Sequence, residues 1–337
     1  MSEYLATIVL YLFVYVIGGW GLNLQFGTAG VLSFCFVIFQ AAGAYTVAIF
    51  SLGSAKANGG MQSYFFGARL PFPVPLLLAM IVGAALAAVV GTAALRRVRN
   101  DYQGMVLFVV GIAAVELVIA MPGFLNGPSG LSLIPTPFST GGVAINVGQT
   151  WEYVAVAGLL CLFAWVVMRA LTEGPYGRAV RAVRDNERGA EALAMNPFRL
   201  RLSAFVVGGA FGALSGGILA YYLTSWSPSA WNYPETFWFF TSVIVGGTGN
   251  LGGVAVGSMI VVAVQQGLYY LPAIGSSDAG AALQVILAAL VTIIFLWFRP
   301  QGIFPERRHR LYGVDASAVE LLGSSQKLII VSDGVAQ

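Results

Sequence analysis

Apolar runs long enough to cross a membrane dominate the chain, over residues 4–22, 28–50, 74–95, 104–121, 151–171, 203–223 and 280–298. About twenty helical residues at 1.5 Å each cover the ~30 Å hydrocarbon core of a bilayer. A further stretch, 236–271, is broken by Gly246, Gly247, Gly249, Gly252 and Gly253 and reads as two short spans joined by a glycine turn. That makes nine expected crossings. Backbone in lipid must satisfy its own hydrogen bonds, so the expected class is all-α, a polytopic membrane protein. Composition agrees, since 58% of the residues are hydrophobic and only 9% charged, against roughly 25% charged in a soluble domain.

Basic residues set the expected orientation, because cytoplasmic loops keep Lys and Arg. They cluster as Arg96, Arg97 and Arg99, then as Arg178, Arg181, Arg184, Arg188, Arg199 and Arg201, and finally as Arg299, Arg307, Arg308 and Arg310. Placing all three clusters inside leaves Lys56 and Arg69 as the basic residues outside, and puts the uncharged loop 122–150 outside as well. The N-terminus is then external and the C-terminus cytoplasmic. The start, with Glu3 and no base before Tyr4, lacks the basic region of a signal peptide. A membrane domain over 1–310 is expected to precede a cytoplasmic tail, 311–337.

Several chemistries are excluded by residue supply. With His309 the sole histidine, neither a histidine metal cluster nor a Ser/His/Asp triad can be built. Lys56 and Lys327 stand outside any GxxxxGK[ST], so the chain has no Walker A nucleotide site. Cys35 and Cys161 lie in separate apolar runs and read as packing residues. Gly247-Thr248-Gly249-Asn250-Leu251-Gly252 satisfies GxGxxG, but a dinucleotide site needs a βαβ unit and an acidic residue about twenty positions later. Membrane spans flank it here, and a tight turn is expected instead.

The segment 172–201 is the longest non-apolar stretch within the membrane domain. Pro175 and Gly177 open a run that can be helical to Asn196, with Pro197 stopping it. On a helical wheel Arg178, Arg181, Arg184 and Arg188 share one arc, and Ala179, Val180, Ala182, Val183, Ala190 and Leu193 share the other. Such a helix either rests on anionic lipid headgroups or docks a cytoplasmic partner. Within the spans, Glu116, Asn23, Gln25, Gln265 and Gln266 are candidates for a polar pathway or for helix-joining hydrogen bonds. Gly208, Gly212 and Gly216 recur every fourth residue, a flat face for helix packing within the chain or between subunits. Trp226, Trp231, Tyr233, Phe237 and Trp238 fall at an expected outer boundary and read as an interfacial belt, or else as a docking surface.

The string Gly177-Arg178-Ala179, Ala182-Val183-Arg184-Asp185-Asn186-Glu187 and Ala190-Glu191-Ala192-Leu193 resembles the EAA cytoplasmic loop of ABC-importer permeases in its branched-chain amino-acid form. Asn23-Leu24-Gln25-Phe26-Gly27 with Ala29-Gly30-Val31-Leu32-Ser33 and Gly43-Ala44-Tyr45 resembles the family's opening signature. Asn126-Gly127-Pro128-Ser129-Gly130-Leu131 with Ile134-Pro135 resembles its external loop. Gly246-Gly247-Thr248-Gly249-Asn250-Leu251-Gly252-Gly253 and Arg299-Pro300-Gln301-Gly302-Ile303-Phe304 complete the series. By these five motifs in order the chain resembles a LivM-like permease subunit. The resemblance implies a passive subunit carrying branched-chain or hydrophobic amino acids across a bacterial or archaeal inner membrane. It further implies a second, LivH-like permease, two ATP-binding subunits that hold ATP and Mg, and an extracytoplasmic substrate-binding protein. The chain itself is then expected to bind no cofactor, metal or nucleic acid and to be no enzyme. Residues 177–194 would fit a cleft in the ATPase, with Gly177, Arg178, Arg181, Arg184, Asp185, Glu187, Glu191 and Ala192 on the coupling segment. Where the family usually has glycine after Glu-Ala-Leu, this chain has Ala194. The rival readings are the same architecture carrying urea or a short amide, a stand-alone carrier or channel, and a membrane-embedded enzyme.

Overall fold

The computed structural model describes residues 2–53, 62–97, 100–137, 147–231, 233–268, single positions between 286 and 297, and 302–305. Helix α1 (Ser2–Asn23) continues into a π turn (Leu24–Thr28) and is followed by α2 (Phe36–Leu52), α3 (Val74–Arg97), α4 (Asn100–Ala120) and the short α5 (Pro122–Leu125). Strand β1 (Leu131–Ser132) precedes α6 (Val147–Glu173), α7 (Pro175–Asp185), α8 (Glu187–Ala192) and α9 (Pro197–Leu223). Strand β2 (Ser225–Trp226), α10 (Tyr233–Gly246) and α11 (Leu251–Leu268) follow. Five stretches are long and apolar enough to cross a membrane: Tyr4–Thr28, Val74–Arg96, Tyr102–Ala120, Trp151–Glu173 and Pro197–Leu223. The molecule is a multi-pass, mainly helical membrane protein.

Other expected spans differ in length. The segment expected over 28–50 becomes α2, which starts only at Phe36 and has 17 residues. Residues 29–35 are non-helical, with Gly30 at φ +73°, a conformation that glycine adopts without steric cost. The 236–271 stretch does divide into two helices, α10 and α11, joined by a turn in which Gly247 and Gly249 take φ +115° and +80°. Most of the segment 280–298 and all of the tail 311–337 lie outside the described residues.

Helix α9 is the central post, with α1, α2 and α3 packed on it. In lipid no hydrophobic force drives helices together, so close backbone approach at small residues carries the packing. Gly208 meets Gly21 and Gln25 of the α1 stretch; Gly212 meets Phe36 and Phe39; Gly216 lies against the Gln40 carbonyl of α2. Gly209 faces Gly83 and Ala87 of α3. The flat glycine face is therefore consumed by packing within the chain, which decides against a subunit interface there. Burial follows the same arrangement: 67% of the α9 window is buried, against 33% for α3, 22% for α4 and 28% for α6. Those three peripheral helices present Ile81, Val89, Met105, Val109, Leu159 and Leu162 outward.

At the end remote from the α7 arginines, the loops form a knitted cap. Strands β1 and β2 pair antiparallel, Leu131 opposite Trp226. Asn126 accepts from the Ser63 N–H (3.1 Å) and donates to Gly130 O (2.6 Å). Trp226, Trp231 and Trp238 are 2–3% exposed, and the Trp231 ring meets Tyr45 edge-on at 6.2 Å. These three tryptophans are the core of the cap rather than a belt or a docking surface; Phe237 alone of the described members of that cluster is exposed. Cys35 and Cys161 are buried and free, as packing residues.

Candidate functional site

Four of the five motifs meet at the arginine-rich end. Helices α10 and α11 cross with their backbones touching, for a Cβ at Gly246, Gly253 or Gly257 would collide with main chain of the facing helix. Asn250 caps α11, its Oδ1 accepting from the Gly252 (3.0 Å) and Gly253 (3.2 Å) N–H groups. The GxGxxG string is thus a helix-helix turn, flanked by α10 and α11 instead of strands. Asn23, at the end of α1, accepts from the Gly249 N–H at 2.8 Å, and Trp20 Nε1 donates to Leu251 O at 2.8 Å. Ile303 and Phe304 donate their N–H groups to Val245 O (3.0 Å) and Gly246 O (3.1 Å), carbonyls that the end of α10 leaves unpaired. Gly302, at φ +74°, seats directly on Gly247. Replacing Asn23 by alanine removes the acceptor for Gly249, and the loss of about 1–2 kcal/mol should appear as a lower unfolding temperature of the detergent-solubilised protein.

The fourth motif reaches this knot through one side chain. The Arg184 guanidinium donates to the Gly27 carbonyl of the π turn, and its stem passes over Gly30, where a Cβ would lie 2.8 Å from Arg184 Cγ. Arg184 also pairs with Asp185 at 3.0 Å. Arg181 Nη2 donates to Thr172 O at 2.9 Å and Arg178 Nη1 to Glu173 O at 3.4 Å, both carbonyls belonging to the C-terminal end of α6, where positive charge is favoured. Gly177 permits this elbow, since a Cβ there would collide with the Thr172 carbonyl. Arg201 bonds Glu187 at 3.1 Å. The Tyr176 phenol bonds Ser203 Oγ at 2.8 Å; burial raises its pKa, and that bond works in the opposite direction.

Two expectations for this segment are corrected. The helix is not continuous to Asn196: Asn186 takes φ −151°, ψ 96° and caps α8 by accepting from the Gly189 N–H at 2.9 Å, a local bond that competes with helix continuation. The break turns α8 away from the α7 wheel, so Leu193 is 73% exposed although the wheel put it on the buried side. Nor do the four arginines form one outward face, for Arg181 and Arg184 are half-buried against the bundle while Arg178 and Arg188 are exposed. The longest unbroken run offered to solvent is the tip Glu191, Ala192, Leu193 and Ala194, with Arg178, Asp185, Asn186 and Arg188 exposed before it.

That tip ends in a Schellman arrangement, Met195 N–H to Ala190 O (3.1 Å) and Ala194 N–H to Glu191 O (2.9 Å), with Ala194 at φ +60°. The position is one where glycine is normally preferred. Ala194→Gly should therefore stabilise the fold by about 0.5–1 kcal/mol, read as a raised unfolding temperature with the far-UV spectrum unchanged.

The intramembrane candidates separate into structural and open positions. Gln25 is fully buried and donates to Phe205 O at 2.8 Å; like Asn23 it joins helices here. Gln265 Nε2 donates to the Tyr15 hydroxyl (2.8 Å), which donates to Glu235 Oε2 (3.1 Å), and Gln266 beside it is half-buried. Glu235 and Tyr15 were not singled out from the sequence, although a lone carboxylate heading Thr236-Phe237-Trp238 was a usable signal. Gly252 carries no steric need for glycine, since a Cβ there would meet Asn250 Oδ1 no closer than 3.6 Å. Glu116 is exposed on α4 and lines a cavity of about 150 Å³ with Phe34, Val37, Phe108, Ile112 and Val115.

The family model described as the permease component of branched-chain amino acid transport systems matches residues 4–296. The chain belongs to this permease family. It is 27% identical over 318 residues to the high-affinity branched-chain amino acid permease protein LivM of Salmonella typhimurium, covering 88% of this chain and 69% of that protein. A probable LivM of Methanocaldococcus jannaschii is 24% identical over 329 residues, covering 90% and 94%. The LivH permease protein of Salmonella typhimurium is 23% identical over 291 residues, covering 84% and 88%. No solved structure matches. In this permease the match takes in the motif turn, the α7–α8 segment and α4 alike.

Proposed function

We propose that this permease is the passive membrane subunit of an ATP-driven importer of branched-chain and hydrophobic amino acids. Its membership of the family and its likeness to LivM proteins support the cargo class, and likeness to both LivM and LivH supports a second, LivH-like permease beside it. Nine crossings, an external N-terminus and a cytoplasmic C-terminus complete the reading, with a permease domain over 1–310 and the tail 311–337 inside. ATP and Mg belong to two partner ATP-binding subunits, and a substrate-binding protein docks at the outer cap.

The observation that carries the reading is the link between the α7–α8 segment and the first span. Closure of ATP-binding subunits on the exposed tip pushes α7, and Arg184 passes the displacement to the π turn at Gly27 and so to the Asn23–Gly249 turn. A change of this kind needs a free-energy difference between two arrangements of the spans, which ATP binding and hydrolysis supply. Gly177, Arg178, Arg181, Arg184, Asp185 and Glu187 position the segment; Glu191, Ala192 and Leu193 make the contact. Purification from the native membrane with its partners, followed by mass spectrometry, tests the assembly. ATP-dependent uptake of radiolabelled leucine into vesicles, with urea as competitor, tests the cargo; displacement by urea and not by valine would overturn it.

A further inference from the structure

Helix α4 packs loosely at the edge of the bundle, and one of its outward residues cannot face lipid. Glu116 lies five positions past the middle of the apolar stretch Tyr102–Ala120, roughly 7–8 Å along the axis and inside the ~15 Å half-thickness of the hydrocarbon. A carboxylate at that depth faces protein or water. Among the described residues nothing hydrogen-bonds or pairs with it, and its side chain opens onto the cavity already described. The other walls are apolar: Phe34 and Val37 from the loop and first turn of α2, with Phe108, Ile112 and Val115 from α4 itself. The loop lies against α4 at Gly111, where a Cβ would sit 3.7 Å from the Phe34 carbonyl and Cys35 Cα. Non-helical backbone at this depth is tolerated where it is covered by protein or lines a water-filled cavity, and interrupted helices at mid-membrane line transport routes.

We propose that Glu116 holds the α-ammonium group of the amino-acid substrate in transit while the cavity bounded by Phe34, Val37, Phe108, Ile112 and Val115 receives its apolar side chain. The inference rests on the import function above and adds the subsite to it. One charged acceptor in an otherwise apolar recess matches two of the three groups of such a substrate, its ammonium and its hydrocarbon branch, and leaves its carboxylate outside the recess. A recess of this size, about 150 Å³, is of the order that takes a benzene-sized apolar group. An ammonium-carboxylate hydrogen bond is charge-assisted and among the stronger polar contacts. Urea, with no cation and no hydrocarbon, gains neither contact.

The test uses the whole transporter, with the partner permease, ATP-binding subunits and binding protein, in vesicles. The concentration of loaded binding protein giving half-maximal leucine uptake is compared for wild type, Glu116→Gln, Glu116→Asp and Phe108→Ala. Direct binding of leucine and of its deaminated analogue 4-methylpentanoate to the complex, without binding protein, is measured beside it. Glu116→Gln should weaken leucine binding about 10- to 100-fold and should not weaken binding of the anionic 4-methylpentanoate, which loses a repelling charge; Glu116→Asp should recover part of the loss for leucine, and Phe108→Ala should weaken both ligands. Equal loss of both ligands in Glu116→Gln, or no loss of leucine, would overturn the subsite, since a carboxylate that merely joins helices does not tell an ammonium from its absence. Absence of ATP-dependent leucine uptake in the wild-type complex would instead overturn the import function itself.

Discussion

Leu193→Asp combined with Glu191→Lys should abolish ATP-driven uptake while the protein remains inserted and folded. Leu193 is 73% exposed, the Glu191 side chain is exposed too, and neither makes a core contact, so folding stability should stay within about half a kcal/mol of wild type. An apolar side chain held out on the tip of α8 is the natural anchor for a partner pocket. Placing a carboxylate in that pocket removes the anchor and strands a charge, a loss of about 2 kcal/mol or more at a dominant contact, equivalent to roughly thirtyfold or more in affinity. Co-purification of the ATP-binding subunits and uptake in vesicles should fall together. Retention of both would show that the tip is not the contact. Arg184→Ala is the companion variant: it leaves the tip intact and cuts the link to Gly27, so ATP-binding subunits should stay bound while their hydrolysis no longer drives transport.

The second large effect is on the fold. Gly216→Val should prevent recovery of folded protein, because a Cβ at Gly216 overlaps the Gln40 carbonyl and carbonyl carbon of α2. Main chain cannot rotate out of the way as a flexible side chain can, so α2 and α9 must separate, with a cost at the upper end of or beyond the ~1–3 kcal/mol typical of overpacking. Gly252→Ala is the informative contrast. Its new methyl group meets only Asn250 Oδ1, at 3.6 Å, and lies in the first turn of α11, where alanine is the better helix former. Yield of monodisperse protein and unfolding temperature should collapse for the first variant and hold or rise for the second.

Both glycines stood in runs that the sequence marks as packing or hinge positions, which shows what composition and spacing can and cannot convey. Apolar length reported five spans, Tyr4–Thr28, Val74–Arg96, Tyr102–Ala120, Trp151–Glu173 and Pro197–Leu223, because hydrocarbon thickness acts on each in the same way. Spacing in 208–216 reported a flat helix face but was silent on whether the facing helix belonged to the same chain; that depends on α1, α2 and α3 meeting α9, a long-range fact. The α7–α8 segment was legible as amphipathic, yet the wheel assumed one straight helix, and the Asn186 side chain ended it by taking the cap of the next. Two arginines of the shared arc, Arg181 and Arg184, lie half-buried because the end of α6 and the π turn present carbonyls to which they donate. Asn23 and Gln25 were flagged for polarity alone; burial against Gly249 and Phe205 makes them joints. Glu116 was flagged by the same rule and stayed open, because α4 sits at the rim. Glu235 heads an apolar run instead of interrupting one, and its partner Tyr15, itself bonded by Gln265, lies far away in the chain.

If the proposed function holds, the polypeptide carries solute only when an external ATPase works it through α7 and α8. Leucine accumulation should be measured in vesicles containing this chain alone, and in vesicles containing it with the second permease and the ATP-binding subunits, with binding protein on one side and ATP on the other. Accumulation against the gradient in the complete assembly, its loss on removing ATP, and none for the chain alone are the expected results. Uphill leucine transport by the isolated chain would contradict the account.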